Sequence, residues 1–282
     1  MAAASTTFTL GGELDVFRLG FGAMRITGDG VWGEPEDPAG ARELLRRVVQ
    51  AGVNLIDTAD SYGPEVSEDL IAQALYPYPE GLVIATKGGL TRSGPSAWSR
   101  AGRPDRLKRC CEDSLRRLRL ERIDLYQLHA VDPEVPIEDS IGALAELQQE
   151  GKIRMIGVSN VNVEELERAR HIAPIVSVQN RYNVSDRSAE DVLRVCEQDG
   201  LAFLPWFPLA TGRLAEPGGQ LDEIAQTHSA SPAQVALAWL LQHSPVTLPI
   251  PGTGSVAHFE ENFEAAELEL SDEELQALDE LE

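Results

Sequence analysis

GVNLIDTADSYG, residues 52–63, decides the fold. A short apolar run from Val53 to Ile56 ends on Asp57. A turn-forming stretch with Tyr62, Gly63 and Pro64 follows, and then an amphipathic segment, VSEDLIAQAL at 66–75. The same order recurs at LVIATKGG (82–89), which ends on Lys87, and at IDLYQLHA (123–130), which ends on His129. An ionisable group at the mouth of a buried strand is costly unless it is paired or used, so the pattern points to chemistry as well as to architecture.

Working outward from these three runs, strand-like segments alternate with amphipathic helical ones along the chain. Further strands are expected at RLGFGAM (18–24), IRMIGVS (153–159), IVSVQN (175–180), LAFLPWF (201–207) and VTLPI (246–250). Helices are expected at 38–52, 66–75, 104–120, 137–151, 162–173, 188–200 and 231–244. Ser231 before Pro232 reads as N-cap and first helical residue, and Gly52, Gly151 and Gly200 stand where C-terminal glycines belong. Eight strands, each followed by a helix, describe an α/β protein of the (β/α)8 TIM-barrel class better than an open doubly wound sheet. TTFTLGG with ELDVFRLG (6–20) predicts an N-terminal β-hairpin, and the acidic, leucine-spaced tail at 260–282 predicts an extra C-terminal helix. No low-complexity linker divides the chain, so residues 1–282 read as one domain.

Composition narrows the function. A hydrophobic share of 43% is ample for a large core, and no stretch approaches the roughly 20 apolar residues of a membrane span. MAAASTTFTL lacks the regions of a signal peptide, which predicts a cytoplasmic protein. A formal charge of −22 argues against nucleic acid or an anionic membrane surface as partner. Cys110, Cys111 and Cys196 are odd in number and lack metal-ligand spacing, so they read as reduced thiols and no metal site is expected.

In a parallel barrel the C-terminal ends of the strands share one face, where active sites lie. Asp57, Lys87, His129, Ser159, Asn160, Gln179 and Asn180 all fall at strand ends, and the Gly63–Pro64 turn can swing Tyr62 toward them. A phenol with a pKa of about 10 is a weak acid at neutral pH, and a neighbouring cation lowers that value. Lys87 can supply the cation, Asp57 can hold Lys87, and His129 can orient a carbonyl oxygen. Each residue alone also has a structural explanation: an ion pair for Asp57 and Lys87, a satisfied core histidine for His129, a turn-packing ring for Tyr62. Their joint placement favours chemistry.

LGFGAM (19–24), GVNLIDTADSYG (52–63), IATKGG (84–89), DLYQLH (124–129), GKIRMIGVSN (151–160), VSVQNRYN (176–183) and IPGTGSVAHFEEN (250–262) together resemble the aldo-keto reductase superfamily, in order and over nearly the whole chain. The resemblance implies hydride transfer from NADPH to an aldehyde or ketone carbon, with Tyr62 protonating the oxygen, Asp57 and Lys87 tuning that acid, and His129 positioning the substrate. It implies that Ser159, Asn160 and Gln179 hold the nicotinamide carboxamide and that Trp206 stacks on the ring. Leu209, Thr211, Gly212 and Arg213 match a loop passing over the pyrophosphate. Gly252, Thr253, Gly254, Ser255, His258, Glu261 and Asn262 match the segment at the adenosine end.

Gly252, Gly254 and Ala257 also fit the G-x-G-x-x-A dinucleotide fingerprint, but too few residues follow to complete a Rossmann unit. The glycines can still bring backbone N–H groups to a phosphate at a helix N-terminus, and a plain strand-to-helix turn is the other reading. Many members of the superfamily carry a Lys and an Arg here that grip the 2′-phosphate, where this chain has Gly252 and His258. NADP(H) remains the preferred expectation, with NAD(H) open. GVWGEPED (30–37), YGPEVSEDLIAQALYPYP (62–79) and LPWFPLA (204–210) resemble a narrower group, the bacterial pyridoxal reductases, which implies an aromatic aldehyde as the small-molecule substrate. Met24, Trp32 and Trp98 are then candidate pocket residues, each also explicable as core or loop anchor. A broad reductase of small aldehydes, dicarbonyls or sugar aldehydes is the alternative. A nucleotide-binding regulatory subunit, like the potassium-channel β subunits of the same superfamily, is a second.

Overall fold

The computed structural model describes residues 6–209 and 219–281. β1 (Thr7–Leu10) and β2 (Leu14–Phe17) pair antiparallel, Thr7 opposite Phe17 and Leu10 opposite Leu14. Gly11 and Gly12 turn between them with φ of 58° and 73°, a conformation that favours glycine. A Cβ on Gly11 would also stand 2.9 Å from the Met155 sulfur, so the turn lies directly against the barrel. Leu10 and Val16 of this hairpin pack with Leu55, Val83, Leu125, Met155, Leu204 and Leu248 in one buried cluster. The hairpin thereby plugs one end of the barrel and leaves the opposite end to the strand C-termini.

The barrel strands are β3 (Phe21–Gly22), β4 (Leu55–Asp57) and β5 (Val83–Gly88), followed, after a hairpin of β6 (Leu90–Gly94) and β7 (Ala97–Arg100), by β8 (Ile123–Leu128), β9 (Ile153–Ser159), β10 (Ile175–Gln179) and β11 (Ala202–Phe203). They form a parallel seven-stranded sheet in the order β3-β4-β5-β8-β9-β10-β11. Residues 246–251 fill the eighth position. Phe203 N donates to Val246 O at 2.9 Å and Leu248 N to Phe203 O at 2.8 Å, while Gly20 N and Gly22 N donate to Pro249 O and Pro251 O at 2.9 and 3.2 Å. This segment was expected as a regular strand. Pro249 and Pro251 have no N–H to return toward β3, so the seam closes as an extended run bonded there through carbonyls alone.

Arg18 locks the seam from the side. The residue is 3% exposed, and its guanidinium donates to Ser244 O (2.6 Å), Leu241 O (2.8 Å) and Thr247 O (3.2 Å).

Ten helices among the described residues surround and extend the barrel: α1 (Pro38–Gln50), α2 (Val66–Leu75), α3 (Pro104–Leu118), α4 (Ile137–Gln149), α5 (Val163–Arg170), α6 (Glu190–Asp199), α7 (Gln220–His228), α8 (Pro232–His243), α9 (Val256–Glu264) and α10 (Asp272–Asp279). Their apolar faces bury against the strands, as with Leu44, Leu45 and Val48 of α1. Ser231 caps α8 in a reciprocal box with Gln234, as its place before Pro232 predicts. α10 is the extra C-terminal helix; Trp239 Nε1 donates to Asp279 Oδ1 at 2.8 Å and ties α8 to its end.

Candidate active site

β4 ends on Asp57 and β5 carries Lys87 beside it, because the strands are parallel and in register from Leu55 opposite Val83 to Asp57 opposite Ala85. Lys87 is fully buried. Its ammonium donates to Asp57 Oδ2 at 2.6 Å, to Thr58 O at 2.8 Å and to Tyr62 Oη at 3.4 Å, which uses all three N–H groups. The other carboxylate oxygen, Asp57 Oδ1, accepts from Gln179 Nε2 at 2.8 Å and Gln127 Nε2 at 3.2 Å. A buried ion pair repays its desolvation only when the remaining hydrogen-bonding groups are satisfied, as they are here at both ends.

Tyr62 reaches this pair from the loop after β4. Gly63 has φ of 101°, and a Cβ there would lie 2.4 Å from the Val66 side chain, so only glycine lets the chain fold back into α2 at this point. The phenol ring stands edge-on to the His129 ring at 5.8 Å and to Trp98 at 6.4 Å, with the Lys87 ammonium 5.0 Å from its centre. Burial raises the Tyr62 pKa above its ordinary value, and Lys87 pulls it back down. The expectation of a net lowering is corrected: desolvation outweighs the cation, and Lys87 keeps the phenol more acidic than burial alone would leave it. Burial also opposes the charge on Lys87, but Asp57 and Tyr62 together more than offset it, so the lysine stays protonated. His129 is driven well below the usual histidine value by burial and by Lys87, which makes it a neutral imidazole at physiological pH. Its Nδ1 lies 3.4 Å from Ser61 Oγ.

These groups open onto a cleft of about 570 Å³ at the C-terminal ends of the strands. Asp57, Tyr62, His129, Ser159, Asn160 and Gln179 line it together with Trp206 and Leu209. Asn160, with φ of 57°, donates to Ser159 Oγ and to His129 O, both at 3.0 Å, and accepts from Trp206 Nε1 at 3.0 Å. Its amide is therefore committed to neighbours within the site. Asn180, read with the same group, turns away: it exchanges hydrogen bonds with the Val161 backbone at 3.1 and 2.7 Å and stays out of the cleft. Thr211, Gly212 and Arg213 lie outside the described residues.

Gly252 lines the cleft where it passes Gly22; a Cβ on Gly252 would meet Gly22 O at 2.6 Å. Thr253 Oγ1 accepts from Ser255 N at 3.1 Å, and Ser255 caps α9 by accepting from His258 N at 3.5 Å. His258 is exposed and Glu261 half-buried, while Asn262 is buried; Gly254 is exposed against the Arg25 carbonyl. Met24 and Trp98 line the cleft, but Trp32 does not. Val31, with a positive φ of 57°, lines the cleft there instead, while the Trp32 backbone bridges Gly63 and its ring lies 5.8 Å from the Arg92 guanidinium. Sequence reasoning missed Gln127, Arg25 and the β6–β7 hairpin. Gln127 carried a signal: it lies in β8 two residues before His129, the spacing that puts two side chains of an extended run on one face.

Residues 18–282 match the Aldo/keto reductase family model, and the chain belongs to that family of NAD(P)H-dependent oxidoreductases. It is 45% identical to pyridoxine 4-dehydrogenase of Escherichia coli, over 98% of both chains. An uncharacterised oxidoreductase of Schizosaccharomyces pombe is 51% identical over 95% of this chain and 88% of its own length. Among solved structures, an aldo/keto reductase of Klebsiella pneumoniae in complex with NADP and acetate superposes with a TM-score of 0.83 at 29% identity, covering 98% of this chain and 94% of its own.

Proposed function

We propose that this chain, folded as one barrel domain in the cytoplasm, reduces pyridoxal or a closely related aromatic aldehyde to its alcohol with NADPH. The carrying observation is the buried Asp57–Lys87 pair with Tyr62 Oη 3.4 Å from the ammonium at the cleft. The likeness to E. coli pyridoxine 4-dehydrogenase supports the substrate class.

In this reading Tyr62 gives its proton to the carbonyl oxygen as negative charge develops there. Lys87 stabilises the resulting phenolate, and Asp57 holds Lys87 in place with its other oxygen fastened by Gln127 and Gln179. Neutral His129 directs a ring N–H at the same oxygen. Bound NADPH supplies the hydride.

The residues fit that cofactor: Ser159 and Gln179 offer polar groups at the strand ends for the carboxamide, and Trp206 presents an indole that Asn160 orients. Asn160 thus serves by holding Trp206 and Ser159. Thr253 and Ser255 each keep a hydroxyl proton for the phosphate end, and Arg25, on the cleft wall beside Gly252, adds positive charge that the loop itself lacks.

Steady-state rates with NADPH and with NADH, against pyridoxal, butanal and methylglyoxal, test this assignment. NADPH and pyridoxal are expected to give the highest kcat/KM. A preference for NADH overturns the cofactor reading, and faster butanal or methylglyoxal turnover overturns the substrate. Tight nucleotide binding without any turnover points instead to a regulatory subunit.

A further inference from the structure

Arg92, in β6, stands outside every motif that marks the site. Its guanidinium nevertheless donates five hydrogen bonds, all to backbone carbonyls. Nε donates to Ala97 O at 3.1 Å, Nη1 to Val31 O at 2.7 Å and Ser61 O at 3.1 Å, and Nη2 to Gly30 O at 2.8 Å and Gly94 O at 3.2 Å. Five is the full complement of guanidinium N–H groups, so the fork is saturated. Its partners belong to three separate segments: the loop at 28–33, the loop that carries Tyr62, and the β6–β7 hairpin. Ser96 N adds a bond to Gly30 O at 2.9 Å between two of them.

Trp98 of β7 lies over this guanidinium, 3.6 Å from the ring centre, and stands edge-on to Tyr62 and His129 at 6.4 and 6.3 Å. It is 38% exposed, on a hairpin with few buried residues of its own. A large ring in such a place keeps its rotamers free unless something holds it, and the flat cation beneath it does so.

We propose that Arg92 is a positioning residue for substrate selection: it fixes Trp98 beside Tyr62 and His129 as a rigid wall for the ring of an aromatic aldehyde. This rests on the reading of Trp98 as part of the substrate pocket. Lysine offers three N–H groups and no planar surface, so Arg92→Lys loses at least two of the five bonds and the stack. A three-carbon aldehyde held at the Tyr62 hydroxyl has little surface to lay against the indole, whereas an aromatic ring depends on it.

The test compares benzaldehyde with propanal, so that its outcome is independent of whether pyridoxal is the substrate. Arg92→Lys, Arg92→Gln, Arg92→Met, Trp98→Leu and the double variant Arg92→Lys/Trp98→Leu are assayed with NADPH, and NADPH Kd is measured by fluorescence. The kcat/KM ratio of benzaldehyde over propanal is expected to fall about tenfold in Arg92→Lys, mainly through the benzaldehyde KM, with NADPH Kd within about twofold of wild type. Arg92→Gln, which keeps a planar donor, retains more of the ratio than Arg92→Met. Because Arg92 acts through Trp98, the double variant falls no further than Trp98→Leu. An unchanged ratio, an equal loss of kcat for both aldehydes, or multiplicative effects in the double variant overturns the proposal. The glutamine and methionine variants carry the comparison if the lysine variant does not fold.

Discussion

Replacing Lys87 with methionine removes a charge that nothing else in the site can replace. The ammonium stands 2.6 Å from Asp57 Oδ2, and at an effective dielectric of about 20 that attraction is worth about 6 kcal/mol before desolvation is counted. Methionine spares the protein the burial of an ammonium but leaves a carboxylate held only by the amides of Gln127 and Gln179. The net loss of stability at pH 8 is therefore expected at about 3–5 kcal/mol.

Asp57→Asn/Lys87→Met removes both charges and should be more stable than the sum of the single variants by about 2 kcal/mol or more. Urea unfolding of wild type, both single variants and the double, followed by circular dichroism at pH 5 and pH 8, reads all of these quantities. A loss below about 1 kcal/mol in Lys87→Met, or additivity within about 0.5 kcal/mol in the cycle, would refute the description of Asp57 and Lys87 as an interdependent buried pair.

Two further perturbations follow from the same structure. Asp60 is buried, and burial together with Glu68 pushes its carboxyl up to about 7, so the folded protein binds more protons there than the unfolded chain between pH 4 and 7. Stability should fall as pH rises through that window, by roughly 4 kcal/mol at most. Asp60→Asn should be the more stable protein at pH 8 and equal to wild type near pH 4; lower stability of the variant at pH 8 in urea titrations contradicts this. Arg18→Leu strips three carbonyls at the barrel seam of their shared donor and should cost about 3 kcal/mol in the same assay. A cost under about 1 kcal/mol would show that the seam does not depend on the guanidinium.

The barrel was legible because each strand is a short apolar run ending on a polar residue or a turn, and because the helices carry their own stop signals. Gly200 ends α6 with φ of 66°, and α2 spans Val66–Leu75 as its pattern predicts. Asp57, Lys87 and His129 were legible for the same reason: a charge or an imidazole at the end of a buried strand stands out against its neighbours. The β6–β7 hairpin was not, since LTRSGPSAWSR is half-exposed and has no apolar alternation to announce it. The eighth strand position was read correctly in place but not in form, because two prolines strip its hydrogen bonding on one side. Val31 lines the cleft where Trp32 was expected, and composition does not reveal which of two adjacent side chains faces inward. The direction of the Tyr62 pKa depends on how completely the loop buries the phenol, a quantity that exists only once β4, β5, β8 and the hairpin have closed around it.

Tyr62→Phe deletes one hydroxyl and leaves the ring contacts with His129 and Trp98, so it isolates proton donation from packing. Pyridoxal reduction is followed by NADPH absorbance in wild type and variant, with NADPH affinity measured by fluorescence on the same samples. If Tyr62 is the proton donor, kcat falls by roughly 10²–10⁴-fold while NADPH Kd stays within about twofold of wild type. Turnover by Tyr62→Phe within about threefold of wild type contradicts it.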